Sequence, residues 1–267
     1  MLTTAFGYIT ATNIYDYKLI SVLIGTLSLA CGSAIINHFQ ERNIDIRMER
    51  TRHRPIPSGK VSPEFALGLG LMFILFGGLI LYFFVNTLTF LLGLLNVFWY
   101  NLIYTLLKRK TSLAIIPGSI VGTIPPVMGW VAAGEYIFDF KIISIAFFFF
   151  IWQIPHFWLL MLKFDKDYKL ANLPTITNLF SKEQLARIIF FWTIATGLSS
   201  IIIPISLNIT NSVTFISLST LIFLIIFSSL KLLKFSENNF SAILAFRNIN
   251  LFVFSVILIL SINKLIL

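Results

Sequence analysis

From residue 18 almost to its end, this sequence repeats one pattern: an apolar run of about 20 residues, long enough as a helix to cross a bilayer core of about 30 Å, closed by a short polar break. Apolar residues make up 57% of the 267-residue chain and charged ones only 12%. One water-facing globule cannot bury that much hydrocarbon, so most of it must face lipid. The breaks place spans near 18–38, 63–85, 87–107, 113–133, 141–163, 185–206, 212–231 and 242–263. Leu2 to Asn13 is apolar but too short to cross, and is read as a ninth, truncated span. No basic start, apolar run and small-residue cleavage site mark a secretory signal. The expected fold is all-α: one integral membrane domain over residues 1–267, a polytopic transmembrane bundle of about nine helices.

A net charge of +9 would suggest nucleic acid as the partner of a water-soluble protein. Here the cations sit in short breaks between spans. Arg42, Arg47, Arg50, Arg52, Arg54 and Lys60 follow the first span; Lys108, Arg109 and Lys110 follow the third. Lys163, Lys166, Lys169, Lys182 and Arg187 form a third group, and Lys231, Lys234 and Arg247 a fourth. Only Lys18, Lys141 and Lys264 fall on the other side, an asymmetry that places the four basic loops in the cytoplasm. Membrane orientation, not nucleic acid, accounts for the charge. The single cysteine, Cys31, can form no internal disulfide and reads as a small packing residue between Ala30 and Gly32.

The first basic loop also holds acids. Asn37, Glu41 and Asp45 are four apart, so on a helix continuing out of the membrane they advance only about 40° per step and share a face. Carboxylate and amide oxygens are hard ligands suited to Mg²⁺, which keeps some water and takes substrate phosphates as further ligands. Spacing alone supports a solvated helix end equally well. Arg50 and Arg54 follow at once, in a run closed by Pro55, Pro57 and Gly59. Guanidinium forks hold phosphate oxygens in pairs, whereas a pure attraction to anionic lipid would not need interleaved acids.

Other loops add candidates. Tyr104 stands one turn before Lys108 and Arg109, a possible second anion clamp or an ordinary membrane interface. A helix carrying Pro125 and Pro126 between Gly122 and Gly129 needs protein or a cavity around its break. Trp152, Pro155, His156 and Trp158 interrupt an apolar span, and an ionisable group inside a span is a functional candidate. For His156, helix packing, a contact to an acid, metal ligation and proton transfer all stay open. Asp165 and Asp167 are two apart and would face different ways on a regular helix, converging only in an irregular turn.

The stretch NHFQERNIDIRMERTRHRPIPSGK, residues 37–60, resembles the first motif of the intramembrane, UbiA-type aromatic prenyltransferases: an Asn, two acids at four-residue steps, then Arg-Thr-x-x-Arg-Pro. Tyr104-x-x-x-Lys108-Arg109 is similar to their second basic motif. Glu41, Met48, the Pro155-His156-Phe157-Trp158 run, Asp167-Tyr168 and Ala171-Asn172-Leu173-Pro174 look like the heme O synthase branch. His38 and His53 depart from that branch and read as polar surface residues. The resemblance covers almost the whole chain but begins partway into the family's first span.

The resemblance implies a helical bundle around a central cavity opening toward the cytoplasmic face. It implies transfer of farnesyl from farnesyl diphosphate to a vinyl group of protoheme IX, with water adding as hydroxyl. Mg²⁺ would bind with the diphosphate at Asn37, Glu41 and Asp45, and a second site at Asp165 and Asp167. Arg50, Arg54, Lys108 and Arg109, with Tyr104 and Tyr168, would hold the diphosphate; His156 and Asp167 would act in the reaction. Heme B would be a substrate, not a cofactor. Trp130, Trp152 and Trp158 are singled out as pocket lining, since aromatic faces attract an allylic cation. The implied setting is the inner (plasma) membrane, among lipid, with heme A synthase or a terminal oxidase as assembly partners. The rivals are a quinone- or chlorophyll-type prenyltransferase, a small transporter and a lapsed heme-binding factor. The third-loop residues disfavour the first, and polar groups gathered at one face disfavour the second.

Overall fold

The computed structural model describes residues 1–233 and 240–266, so Lys234 of the fourth basic group lies outside the described residues. The described chain is helical, and eight helices are long and apolar enough to cross a membrane. They are α2 (Tyr17–Asp45), α3 (Pro63–Phe84), α4 (Thr87–Leu107), α5 (Ser112–Ala132), α6 (Phe140–Lys163), α8 (Lys182–Ser206), α9 (Ser212–Leu233) and α10 (Phe240–Ile266). Two short α-helices, α1 (Leu2–Ala11) before the first span and α7 (Asp165–Leu170) after α6, and a 3-10 turn at Ile176–Asn178 join them. At 1.5 Å per residue, the ten residues of α1 reach about 15 Å, half of a bilayer core.

The helix starts are written in the sequence. Ser62 caps α3 with Pro63 at its first position, Asn86 Oδ1 accepts from the Thr89 N–H at 2.8 Å, and Ser181 with Gln184 forms a capping box on α8. Asp16 both caps α2 and accepts from the Tyr8 hydroxyl at 2.8 Å, tying α1 to the first span.

Neighbours in sequence pack as neighbours in space. Contacts run α2 to α3, α3 to α4, α4 to α5, α5 to α6, α6 to α8, α8 to α9 and α9 to α10, and α1 closes the ring against α10, α2 and α5. The α2–α3 seam depends on glycine: a Cβ on Gly32 would lie 2.7 Å from the Gly70 carbonyl oxygen. Small residues permit such approach where lipid offers no hydrophobic drive to press helices together. The largest core cluster includes Phe148, Phe149 and Ile154 of α6, Trp130 of α5, and Leu185 and Ile189 of α8. Large exposed side chains such as Phe76, Phe83 and Phe223 are left on the outside for lipid.

Candidate active site

The α2 helix runs past His38 to Asp45, so its last turns carry Asn37, Glu41 and Asp45 on one face as their spacing dictates. All three are buried, at 5%, 6% and 2% exposure. Buried carboxylates need counter-charge, and each finds it on a different loop. Lys108 Nζ lies 2.7 Å from the Glu41 carboxylate, donating to Oε2, and Arg54 Nη1 donates to Asp45 Oδ2 at 2.9 Å. Glu41 Oε1, also buried, has the same Lys108 ammonium as its ionic contact. Asn37 donates through Nδ2 to Thr105 Oγ1 at 3.0 Å, while its Oδ1 accepts nothing among the described residues. An open amide oxygen beside two carboxylates fits a Mg²⁺ ion. Among the described residues no three His, Cys, Asp or Glu side chains converge, so such an ion would need phosphate oxygens to fill its shell.

Thr105 reaches Asn37 because α4 changes pitch. Residues Trp99–Tyr104 wind as a π-helix, with the Thr105 N–H and hydroxyl both on the Tyr100 carbonyl, the hydroxyl at 2.8 Å. The wider turn also brings Asn101 to α2, where it donates to the Ser33 carbonyl at 2.9 Å and its own carbonyl accepts from Gln40 Nε2 at 3.1 Å. Such π-turns concentrate at functional sites. The Tyr104 ring stacks on Tyr100 at 5.9 Å, with the Lys108 ammonium 5.4 Å from its centroid. It rests on the bare backbone of Gly118, where a Cβ would come within 2.5 Å of it. Arg109 Nη2 donates to the Gln40 carbonyl at 2.7 Å, closing the second loop on the first.

The third loop folds onto the same place. Met48 packs with Ala171 and Leu173, flanked by Ile44 and Tyr168, and the Arg50 N–H donates to Asp167 Oδ2 at 3.3 Å. Arg50 lays its guanidinium 4.6 Å over the Phe164 ring. Asn172, at φ 55, makes the left-handed turn that ends α7 and returns Leu173 to this cluster. Burial pushes the Tyr168 hydroxyl pKa up against the opposing pull of Arg50, so it stays a neutral donor.

Three expectations are corrected. Asp165 does not join Asp167: on α7 it turns to Thr177 Oγ1 at 2.6 Å and Lys169 Nζ at 2.7 Å, as a two-residue helical offset requires. Trp130, 1% exposed, sits at the end of α5 opposite the basic turn, its indole N–H on the Tyr136 carbonyl at 3.1 Å. It is core there, not pocket lining. Trp158 packs edge-on against Trp192 of α8, on the other face of α6 from His156. Trp152, one turn before His156, does share its face, with ring centroids 4.9 Å apart. His156 Nδ1 meets Asn250 Oδ1 of α10 at 2.8 Å. Gln40, Asn101, Thr105 and Asn250 are the polar partners that sequence reading missed. Only the four-residue step from Asn101 to Thr105 hinted at any of them.

Below Asn37, an apolar cavity of about 350 Å³ runs between α2, α4 and α5, lined by Thr26, Leu29, Ser33, Gly93, Tyr100 and Met128 among others. The arrangement thus joins a carboxylate-and-amide site, cations from the first two loops with the third folded over them, and an apolar slot one helical turn away.

In solved structures this fold recurs. A structure described as giving insight into digeranylgeranylglyceryl phosphate synthase superposes with a TM-score of 0.80 over 99% of this chain and 92% of that one, at 16% identity. A UbiA homolog from Archaeoglobus fulgidus bound to GPP and Mg²⁺ does so at 0.66, over 96% and 94%, also at 16% identity. Among curated proteins, the protoheme IX farnesyltransferase of Geobacter sulfurreducens is 40% identical over 68% of this chain and 67% of its own. Protoheme IX farnesyltransferase 2 of Pseudoalteromonas atlantica is 34% identical over 92% and 81%. The model of the UbiA prenyltransferase family matches residues 1–256. With that match across nearly its whole length and the family's motifs folded into one site, this multi-pass membrane chain belongs to the UbiA prenyltransferase family.

Proposed function

We propose that this protein transfers a farnesyl group from farnesyl diphosphate to a vinyl group of protoheme IX, water adding as hydroxyl, to give heme O and diphosphate. The observation that carries the reading is the likeness, at 34% identity over 92% of the chain, to a protein named protoheme IX farnesyltransferase 2. The clasp of Met48 on Ala171 and Leu173 supports it, because the residues that mark the heme branch hold the third loop against the diphosphate site.

Asn37, Glu41 and Asp45 would hold a Mg²⁺ ion whose chemistry is to neutralise the departing diphosphate. Arg54 and Lys108, already beside those carboxylates, stabilise the same anion by charge-assisted hydrogen bonds, with Arg50, Arg109, Tyr104 and Tyr168 around them. The apolar slot below Asn37 suits the isoprenoid, and its walls exclude water from the allylic cation until the vinyl carbon attacks. Asp167, held at Arg50, faces this centre from the third loop. The single domain lies in the plasma membrane with its basic loops cytoplasmic, and its product feeds terminal oxidase assembly, with heme A synthase or the oxidase as partner. The positive-inside asymmetry supports that orientation.

The reading is tested by offering the purified protein farnesyl diphosphate and Mg²⁺ with protoheme, a hydroxybenzoate or a naphthoate in parallel. Only protoheme should gain a farnesyl and a hydroxyl. Prenylation of an aromatic acid with protoheme untouched would overturn it.

A further inference from the structure

The His156 pair with Asn250 says more than that two helices touch. Asn250 Nδ2 donates to the Phe246 carbonyl at 2.7 Å, one turn back on α10, which fixes the amide so that Oδ1 faces the imidazole. An amide oxygen only accepts, so the proton at the 2.8 Å contact belongs to His156 Nδ1. The neutral ring then carries its lone pair on Nε2, and Nε2 makes no hydrogen bond among the described residues. An imidazole whose one nitrogen donates to a carbonyl oxygen while the other is left open is the usual arrangement of a metal-ligating histidine.

Its surroundings fit a flat, apolar, metal-bearing ring. Trp152, Phe157 and Phe246 lie 4.9, 5.2 and 4.9 Å from the imidazole centroid. Phe157 in turn lies 6.3 Å from Tyr104, whose ring sits beneath the Lys108 ammonium, so the histidine and the anion clamp are two contacts apart. In the last third of α6, seven residues before Lys163, His156 lies about 10 Å along the helix from its basic end.

We propose that His156 Nε2 is an axial ligand to the iron of the tetrapyrrole substrate, with Asn250 as the positioning residue that sets its tautomer. This rests on the heme-acceptor reading and deepens it. Iron ligation fixes the macrocycle's depth and tilt, and so which edge meets the allylic carbon.

Ferric protoheme added to the purified full-length protein, read by absorption and electron paramagnetic resonance, tests the assignment. The wild type should show an imidazole-ligated spectrum. His156→Ala should lose it, and added imidazole should restore it. Asn250→Leu should weaken protoheme binding about 10- to 100-fold, and Asn250→Asp should keep ligation, since its carboxylate oxygen still accepts from Nδ1. A His156→Ala protein with wild-type spectrum and affinity, altered only in thermal stability, would make the histidine a helix-packing residue and overturn the proposal. Wild-type turnover of protoheme in that case would leave the acceptor reading standing. A wild type that neither binds nor converts protoheme but prenylates an aromatic acid would remove both.

Discussion

Replacing Thr105 by Val tests whether the π-turn of α4 sets up the Asn37 amide that we assign to the metal. Thr105 is fully buried, and its hydroxyl accepts from Asn37 Nδ2 at 3.0 Å while donating to the Tyr100 carbonyl at 2.8 Å. Valine keeps the shape and removes both bonds. The Tyr100 carbonyl still receives the Thr105 N–H, so only the Asn37 amide is stranded. A buried donor without a partner costs about 1–3 kcal/mol. If Asn37 relieves that cost by rotating, its Oδ1 changes direction and the loss moves from stability into the site. Since about 1.4 kcal/mol is tenfold in rate, kcat/KM for farnesyl diphosphate should fall about 10- to 100-fold. The Mg²⁺ concentration needed for half-maximal turnover should rise with it. Thr105→Ser, which retains the hydroxyl, should behave nearly as wild type. A valine variant with unchanged kcat/KM and Mg²⁺ dependence would refute the idea that Thr105 orients Asn37.

The Glu41–Lys108 pair makes a second prediction: Lys108→Met strands a carboxylate only 7% exposed and should cost about 3–5 kcal/mol of stability, with turnover lost. Adding Glu41→Gln should restore thermal stability but not turnover. Met48→Ala opens the clasp under the third loop at a cost of about 2 kcal/mol or more; trypsin should then cut faster at Lys166 and Lys169, with KM raised for both substrates. Gly32→Ala drives a methyl toward the Gly70 carbonyl and should lower the unfolding temperature in detergent, by about 1–3 kcal/mol of overpacking, where Gly68→Ala, with open space around it, should not.

How far the sequence could be read depended on the range of the interactions. Span positions follow from local apolar length, and the shared face of Asn37, Glu41 and Asp45 follows from helical spacing, so both were legible. The α6 periodicity also held the answer for the tryptophans: Trp152 is one turn from His156, while Trp158 is half a turn away. The π-turn over Trp99–Tyr104 had no such mark, because one extra residue in a turn is set by what α2 and α5 offer, not by local propensity. Likewise Asn250 lies 94 residues from His156, and only the packing of α6 on α10 makes them partners. The two aspartates of α7 are undecided between helix and loop in the sequence, and the helix that forms turns them to different faces.

The central claim is that the buried Asn37, Glu41 and Asp45 face serves farnesyl transfer to protoheme. Mass analysis of heme extracted after incubation of the reconstituted protein with protoheme, farnesyl diphosphate and Mg²⁺ tests it most directly, with Asp45→Asn run beside the wild type. The wild type should yield heme heavier by one farnesyl group and one hydroxyl, and Asp45→Asn, equally inserted, should yield none. Heme left unmodified by the wild type, or the same product in equal amount from Asp45→Asn, would contradict it.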